Sequence, residues 1–172
     1  MTLLYLVRHG ETVDNANHIM QGQTPGELNE QGIKQAEELA ERLKDEPIDA
    51  FVSSDLQRSI HTCKLIAAPH GKAVTTTPLL RERDWGSFTG KYIPNLANLK
   101  DPSSWPDDIE SLDALKARAK EFLTWLKEEY SDKKVLAVGH GIINKAIQSV
   151  YLNKPMNELK PMSNAEVRVL EL

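Results

Sequence analysis

Leu3-Leu4-Tyr5-Leu6-Val7 runs straight into Arg8-His9-Gly10-Glu11-Thr12, and far along the chain Val135-Leu136-Ala137-Val138 runs into Gly139-His140-Gly141. Each is a short apolar run that stops abruptly at a histidine followed by glycine. Runs of this length, rich in branched residues and bounded by glycine, read as strands buried on both faces of a parallel sheet. The polar cluster then falls at the carboxyl end of the strand, the edge where open α/β sheets bind their ligands. Arg8, His9 and His140 are thereby expected at one sheet edge.

The rest of the chain alternates helix and strand. Asn29 is a plausible N-cap for a helix carried by Ile33, Ala36, Leu39, Ala40 and Leu43. A short strand at Ala50-Phe51-Val52 ends at Ser53-Ser54-Asp55, with Asp55 expected to cap a helix bearing Leu56, Ile60, Cys63 and Ile66. A third strand is expected near Ala73 to Thr76. An amphipathic helix from about Leu112 to Tyr130 has Leu115, Ala119, Phe122, Leu123 and Leu126 on its inner face. After the strand at Val135, a helix runs from about Gly141 to Tyr151, and Glu166 to Leu172 alternates as a final strand. This order predicts a three-layer α/β/α sandwich with a mainly parallel sheet and one antiparallel edge strand. The stretch from Glu11 to about Leu28 reads as loop. His61 and His70 are expected at the surface.

At 172 residues the chain fits a single domain over 1–172, with 91–110 as an irregular, proline-dotted lid within it. Its one cysteine, Cys63, forms no internal disulfide, and no apolar stretch approaches the ~18 residues of a membrane span, so a cytoplasmic location is expected, with no membrane partner. Lys plus Arg number 21 against 25 Asp plus Glu, a net charge of −4 with no basic stripe, which argues against nucleic acid as a partner. An anionic ligand would be held by a few local arginines.

Arg8, His9 and His140 invite either metal binding or phosphoryl chemistry. The metal reading is poor, because neither histidine has a ligand spacing and an adjacent arginine repels a cation. Arginines pair bidentately with phosphate oxygens, and a neutral imidazole is a competent nucleophile.

Leu6-Val7-Arg8-His9-Gly10-Glu11-Thr12 with Asn15 resembles the signature of the histidine phosphatase superfamily, the phosphoglycerate mutase-like proteins. The likeness continues in order through Leu28-Asn29-Glu30-Gln31-Gly32, Ser53-Ser54-Asp55-Leu56 with Arg58 and Thr62, Leu80-Arg81-Glu82 with Gly86 and Gly90, Glu110-Ser111 with Arg118, and Val138-Gly139-His140-Gly141. The resemblance implies that His9 takes the phosphoryl group as phosphohistidine, which water then cleaves. It implies that Arg8, Arg58 and His140 bind the non-bridging oxygens with Asn15 helping to orient them, and that Glu82 protonates the leaving oxygen and then assists water. Thr12, Gln21, Gly22 and Gly141 are expected around the substrate, Glu11 in structural support. No metal or cofactor enters the scheme.

Where broad-specificity phosphatases of the family carry one or two arginines and an aspartate near Gly22, this chain has His18-Ile19 and Thr24-Pro25, so the resemblance fixes no particular substrate. His18 is either a weaker replacement donor or an exposed loop residue. Trp85, Phe88, Tyr92 and Trp105 are read mainly as packing residues. Between Gly90 and Glu110 only Lys91 and Lys100 are basic, a shorter and less basic lid than phosphoglycerate mutases carry. The expectation is therefore a metal-independent phosphomonoester hydrolase acting on a small phosphorylated metabolite. Alternatives are a cofactor-dependent phosphoglycerate mutase, a non-catalytic phosphate-binding or regulatory module, and action on phosphohistidine in a partner protein.

Overall fold

A computed structural model describes residues 1–172. The first apolar run forms β1 (Leu3–Arg8) and the second β4 (Lys134–Gly139); with β2 (Ala50–Ser54), β3 (Val74–Thr77) and β5 (Val167–Glu171) they make one sheet in the order β3-β2-β4-β1-β5. β3, β2, β4 and β1 are mutually parallel, and β5 closes the edge antiparallel to β1. The expected sheet, including its single antiparallel edge strand, is the observed one.

Side-chain alternation along the central strands explains why both faces need cover. Leu4, Leu6, Val135 and Ala137 point to one face and pack with Leu115, Ala119, Phe122 and Leu126 of α4 (Leu112–Glu129) and Ile143, Ala146 and Ile147 of α5 (Gly141–Leu152). Tyr5, Val7, Leu136 and Val138 point to the other. They meet Leu39 of α2 (Glu30–Leu43) and Cys63 and Ile66 of α3 (Gln57–Ala67). Burial among these residues pushes the Cys63 thiol up to about 12, which keeps it protonated. No helix is long and apolar enough to cross a membrane.

Three expectations are corrected. Asp55 does not cap α3: both its carboxylate oxygens are taken by the Arg81 guanidinium at 2.7 Å, and the helix starts after Leu56 with no side-chain cap. A bidentate arginine outcompetes one backbone amide for a carboxylate. The polar stretch after β1 contains a one-turn helix, α1 (Val13–Ala16), because Thr12 and Asn15 form a reciprocal capping box. His61 and His70, both expected at the surface, are half-buried, His70 against Phe51 with ring centroids 5.0 Å apart.

Two close approaches fix the loop after β1. A Cβ on Gly10 would overlap the Gly32 carbonyl, and one on Gly32 would overlap the Glu11 backbone. The start of α2 can therefore lie directly on the His9 loop, where Asn29 caps α2 at Gly32 N–H and donates to the Glu11 carboxylate at 2.8 Å. Glu11 has the supporting role expected of it.

Candidate active site

The register of the two central strands builds the centre of the site. Arg8 lies opposite Gly139, and the His9 N–H donates to the Gly139 carbonyl at 3.2 Å, so the next residues, His9 and His140, stand side by side. Their ring centroids are 5.0 Å apart, the planes at 62°. They lie at the carboxyl ends of β1 and β4, where the apolar runs placed them.

His9 is 2% exposed and its Nδ1 sits 2.7 Å from the Gly10 carbonyl. A carbonyl only accepts, so the proton is on Nδ1 and the lone pair on Nε2. Burial, reinforced by the charges of Arg58 and Arg8, holds this imidazole well below its ordinary value against the opposing pull of the Gly10 carbonyl. His9 is neutral at neutral pH and its Nε2 is a free base.

His140 is also fully buried and held well below its ordinary value by burial first, then by Arg58 and His9. Its Nε2 lies 2.7 Å from Ser54 Oγ and 3.0 Å from Ser59 Oγ, while Nδ1 is buried without a partner. Ser54 Oγ also accepts the Leu56 N–H at 3.3 Å. Both hydroxyls therefore hold the ring through Nε2 and leave Nδ1 on its unpaired side.

Arg58, on the first turn of α3, is 1% exposed. One terminal nitrogen donates to the Gly22 carbonyl at 2.8 Å and the other to the Thr24 carbonyl, so the guanidinium pins the 22–24 loop, and burial lowers its value to about 10. Arg8 donates to the Met162 carbonyl at 2.7 Å. Nε of each arginine is buried without a partner.

Glu82 reaches the same space from the segment after β3. Its carboxylate accepts from the Arg83 N–H at 2.8 Å and from the Ile143 and Ile142 amides at 2.9 and 3.0 Å, at the first turn of α5. The backbone around it is clamped by Arg118 of α4, which donates to the carbonyls of Leu79 (3.0 Å), Arg81 (2.6 Å) and Glu82 (3.4 Å) while pairing with Glu110 at 2.9 Å. Neither flanking arginine pairs with Glu82: Arg81 goes to Asp55, and Arg83 lies over the rings of Trp85 and Trp105 at 4.8 and 5.1 Å.

These groups surround a pocket of about 280 Å³ lined by Arg8, His9, Asn15, Gln21, Gly22, Arg58, Glu82 and Gly141. Of the residues expected there, Thr12 does not line it. Its side chain is fully buried, caps α1 and donates to Gln21 Oε1 at 2.9 Å, one layer behind the wall. His140 lies beneath the floor, in contact with His9, and is itself absent from the lining. His18 is an exposed loop residue with left-handed backbone, outside the pocket.

Apolar walls come from Ile19, Met20, Trp85, Ile93, Ile142 and Pro161. Trp85 and Phe88 pack with Met20 as expected of core residues, and Trp85 also faces the pocket; Tyr92 is exposed. The 91–110 segment is tied to the 18–20 loop by backbone bonds from Ile93 N–H to His18 O (2.8 Å) and Met20 N–H to Lys91 O (2.9 Å), and gives the pocket only Ile93. Sequence reading missed Lys145, one turn beyond Gly141 on α5, which lines the pocket, and the two serines behind His140. The helical spacing of Gly141 and Lys145 was the available signal for the first; the serines carried none.

Comparison with known proteins identifies the family. The chain is 36% identical over its whole length to a metal-independent phosphoserine phosphatase of Arabidopsis thaliana, covering 77% of that protein. It is 34% identical over 90% of its length to a probable phosphoglycerate mutase of Yersinia pestis, again covering 77%. The solved mycobacterial glucosyl-3-phosphoglycerate phosphatase in complex with VO3 superposes with a TM-score of 0.89 at 28% identity, over 98% of this chain and 92% of that one. The family model of the histidine phosphatase superfamily, branch 1, matches residues 4–172, and the chain belongs to that superfamily.

Proposed function

We propose that this phosphatase hydrolyses small phosphomonoesters in two steps, with His9 as the nucleophile. The observation that carries the reading is the protonation pattern of the floor: Nδ1–H of His9 is spent on the Gly10 carbonyl, and the neutral ring presents its Nε2 lone pair beside Arg8 and Arg58. Attack of that lone pair on phosphorus forms the N–P bond and breaks the ester P–O bond. The leaving oxygen takes a proton from Glu82. Water then attacks phosphorus, Glu82 takes its proton, and inorganic phosphate departs with the histidine restored. Arg8, Arg58 and Asn15 hold the non-bridging oxygens, the preorganised donors that a phosphoryl transition state requires, and His140 supports them from beneath His9.

Hydrolysis is favoured over mutase chemistry by what lines the pocket. The 91–110 segment brings no cation to it, so that segment supplies nothing to grip a second phosphate and shield a phosphohistidine from water. The relatives that act on phosphoserine and on glucosyl-3-phosphoglycerate make small phosphorylated acids the first esters to try. The test is phosphate release from p-nitrophenyl phosphate in EDTA by wild type and His9→Ala in parallel. Turnover that survives the chelator and vanishes in the variant is expected; full activity in His9→Ala overturns the covalent route.

A further inference from the structure

Lys145 is the one pocket residue that the two-step chemistry leaves without a task. It lines the cavity, is half-buried, and its side chain takes part in no hydrogen bond and in none of the protein's five ion pairs. Its side chain is half-buried with no carboxylate partner, and an unpaired cation beside a cavity suits an anionic ligand.

Its position says which part of a ligand it would meet. Gly141 packs against the Arg8 guanidinium, with an added Cβ only 3.5 Å from its carbon, so this face of α5 looks at the phosphate floor. Residues four apart share a helix face, and four residues rise ~6 Å, so Lys145 lines the same cavity about one helical turn from the phosphate floor. The apolar part of the same cavity wall comes from Ile142, Ile19, Ile93 and Pro161. One ammonium among apolar side chains matches a single negative charge on a short carbon frame. A second phosphate dianion would need more donors than this wall offers.

We infer that Lys145 is a specificity determinant that reads a carboxylate on the substrate, one short carbon frame from the phosphoryl group held by Arg8 and Arg58. This rests on the phosphomonoesterase reading and narrows its substrates to phosphorylated carboxylic acids.

The test is a binding comparison that needs no turnover. Titration calorimetry on His9→Ala compares 3-phosphoglycerate with glycerol 3-phosphate, esters that share a three-carbon frame and differ in the carboxylate. The acid is expected to bind about ten- to a hundredfold more tightly, the scale of one charge-assisted hydrogen bond. Adding Lys145→Gln should remove that preference, and Lys145→Arg should keep most of it, which a merely structural lysine would not produce. Equal affinities in His9→Ala, or a preference that survives Lys145→Gln, overturns the assignment. Failure of the hydrolase reading shows separately, as absence of phosphate release from p-nitrophenyl phosphate by wild type, and does not touch the binding ratio.

Discussion

Ser54 Oγ lies 2.7 Å from Nε2 of His140, and this contact, not the neighbouring His9, occupies that nitrogen of the ring. With Ser59 Oγ at 3.0 Å on the same nitrogen, the ring is held from behind by two hydroxyls on β2 and α3. Removing both should leave the ring free to turn. Ser54→Ala with Ser59→Ala is expected to lower kcat about tenfold or more and to cost ~1–3 kcal/mol of stability, since a buried nitrogen loses its partners. Wild-type kcat in the double variant, measured on p-nitrophenyl phosphate, would show that the ring is held elsewhere.

Glu82 is fixed by amides of α5 and of its own chain neighbour, so Glu82→Gln keeps size while replacing a proton-transferring oxygen with an amide. General-acid loss is worth about 10²–10⁴-fold for a poor leaving group. Alkyl phosphates should show a loss of that order, and p-nitrophenyl phosphate, whose leaving group needs little protonation, a much smaller one. Equal losses on both esters would move the acid to another residue.

Arg118 touches no lining residue except through the Glu82 carbonyl, yet it closes three carbonyls of the 79–82 segment. Arg118→Met strands these carbonyls and the Glu110 carboxylate. The expected result is a loss of roughly 3 kcal/mol in denaturant unfolding and a lower kcat on alkyl esters with KM little changed, partly recovered by Arg118→Lys. A changed KM with unchanged kcat would point to a role in binding instead.

Stability should depend on pH in a window set by His9 and His140. Both are held below the ordinary imidazole value in the native protein, so the unfolded chain binds their protons first as pH falls through ~6.5. Stability is then full above that pH and erodes below it, at up to ~1.4 kcal/mol per pH unit for each histidine. Urea midpoints should be flat from pH 8 to 7 and fall between 6.5 and 5, and His140→Gln should reduce the slope. Flat midpoints down to pH 5 would mean that the histidines are not buried neutral.

The positions of Arg8, His9 and His140 were readable because a strand buried on both faces leaves no polar residue until it ends; the first polar group is then necessarily at the sheet edge. Other groups depend on partners distant in sequence. Asp55 looked like a cap because local sequence does not show Arg81 arriving from the end of the next strand. Thr12 sits in the signature and still faces away from the pocket, because the one-turn helix it caps takes up its hydroxyl. Lys145 and the serines become meaningful only when α5 and α3 are oriented on the sheet.

The order of strands has a consequence for how the protein is made. β1 is synthesised first, but both its partners, β4 and β5, belong to the last quarter of the chain. During translation an apolar strand carrying the future nucleophile waits unpaired until nearly everything else has emerged. Such distant pairing is slow to form and leaves a sticky edge exposed meanwhile. The Arg8 backbone carbonyl is met by the Ala165 N–H at 2.9 Å, and its guanidinium by the Met162 carbonyl. A chain cut short before Met162 would therefore carry every histidine of the site without the two contacts that hold Arg8, and should be inert.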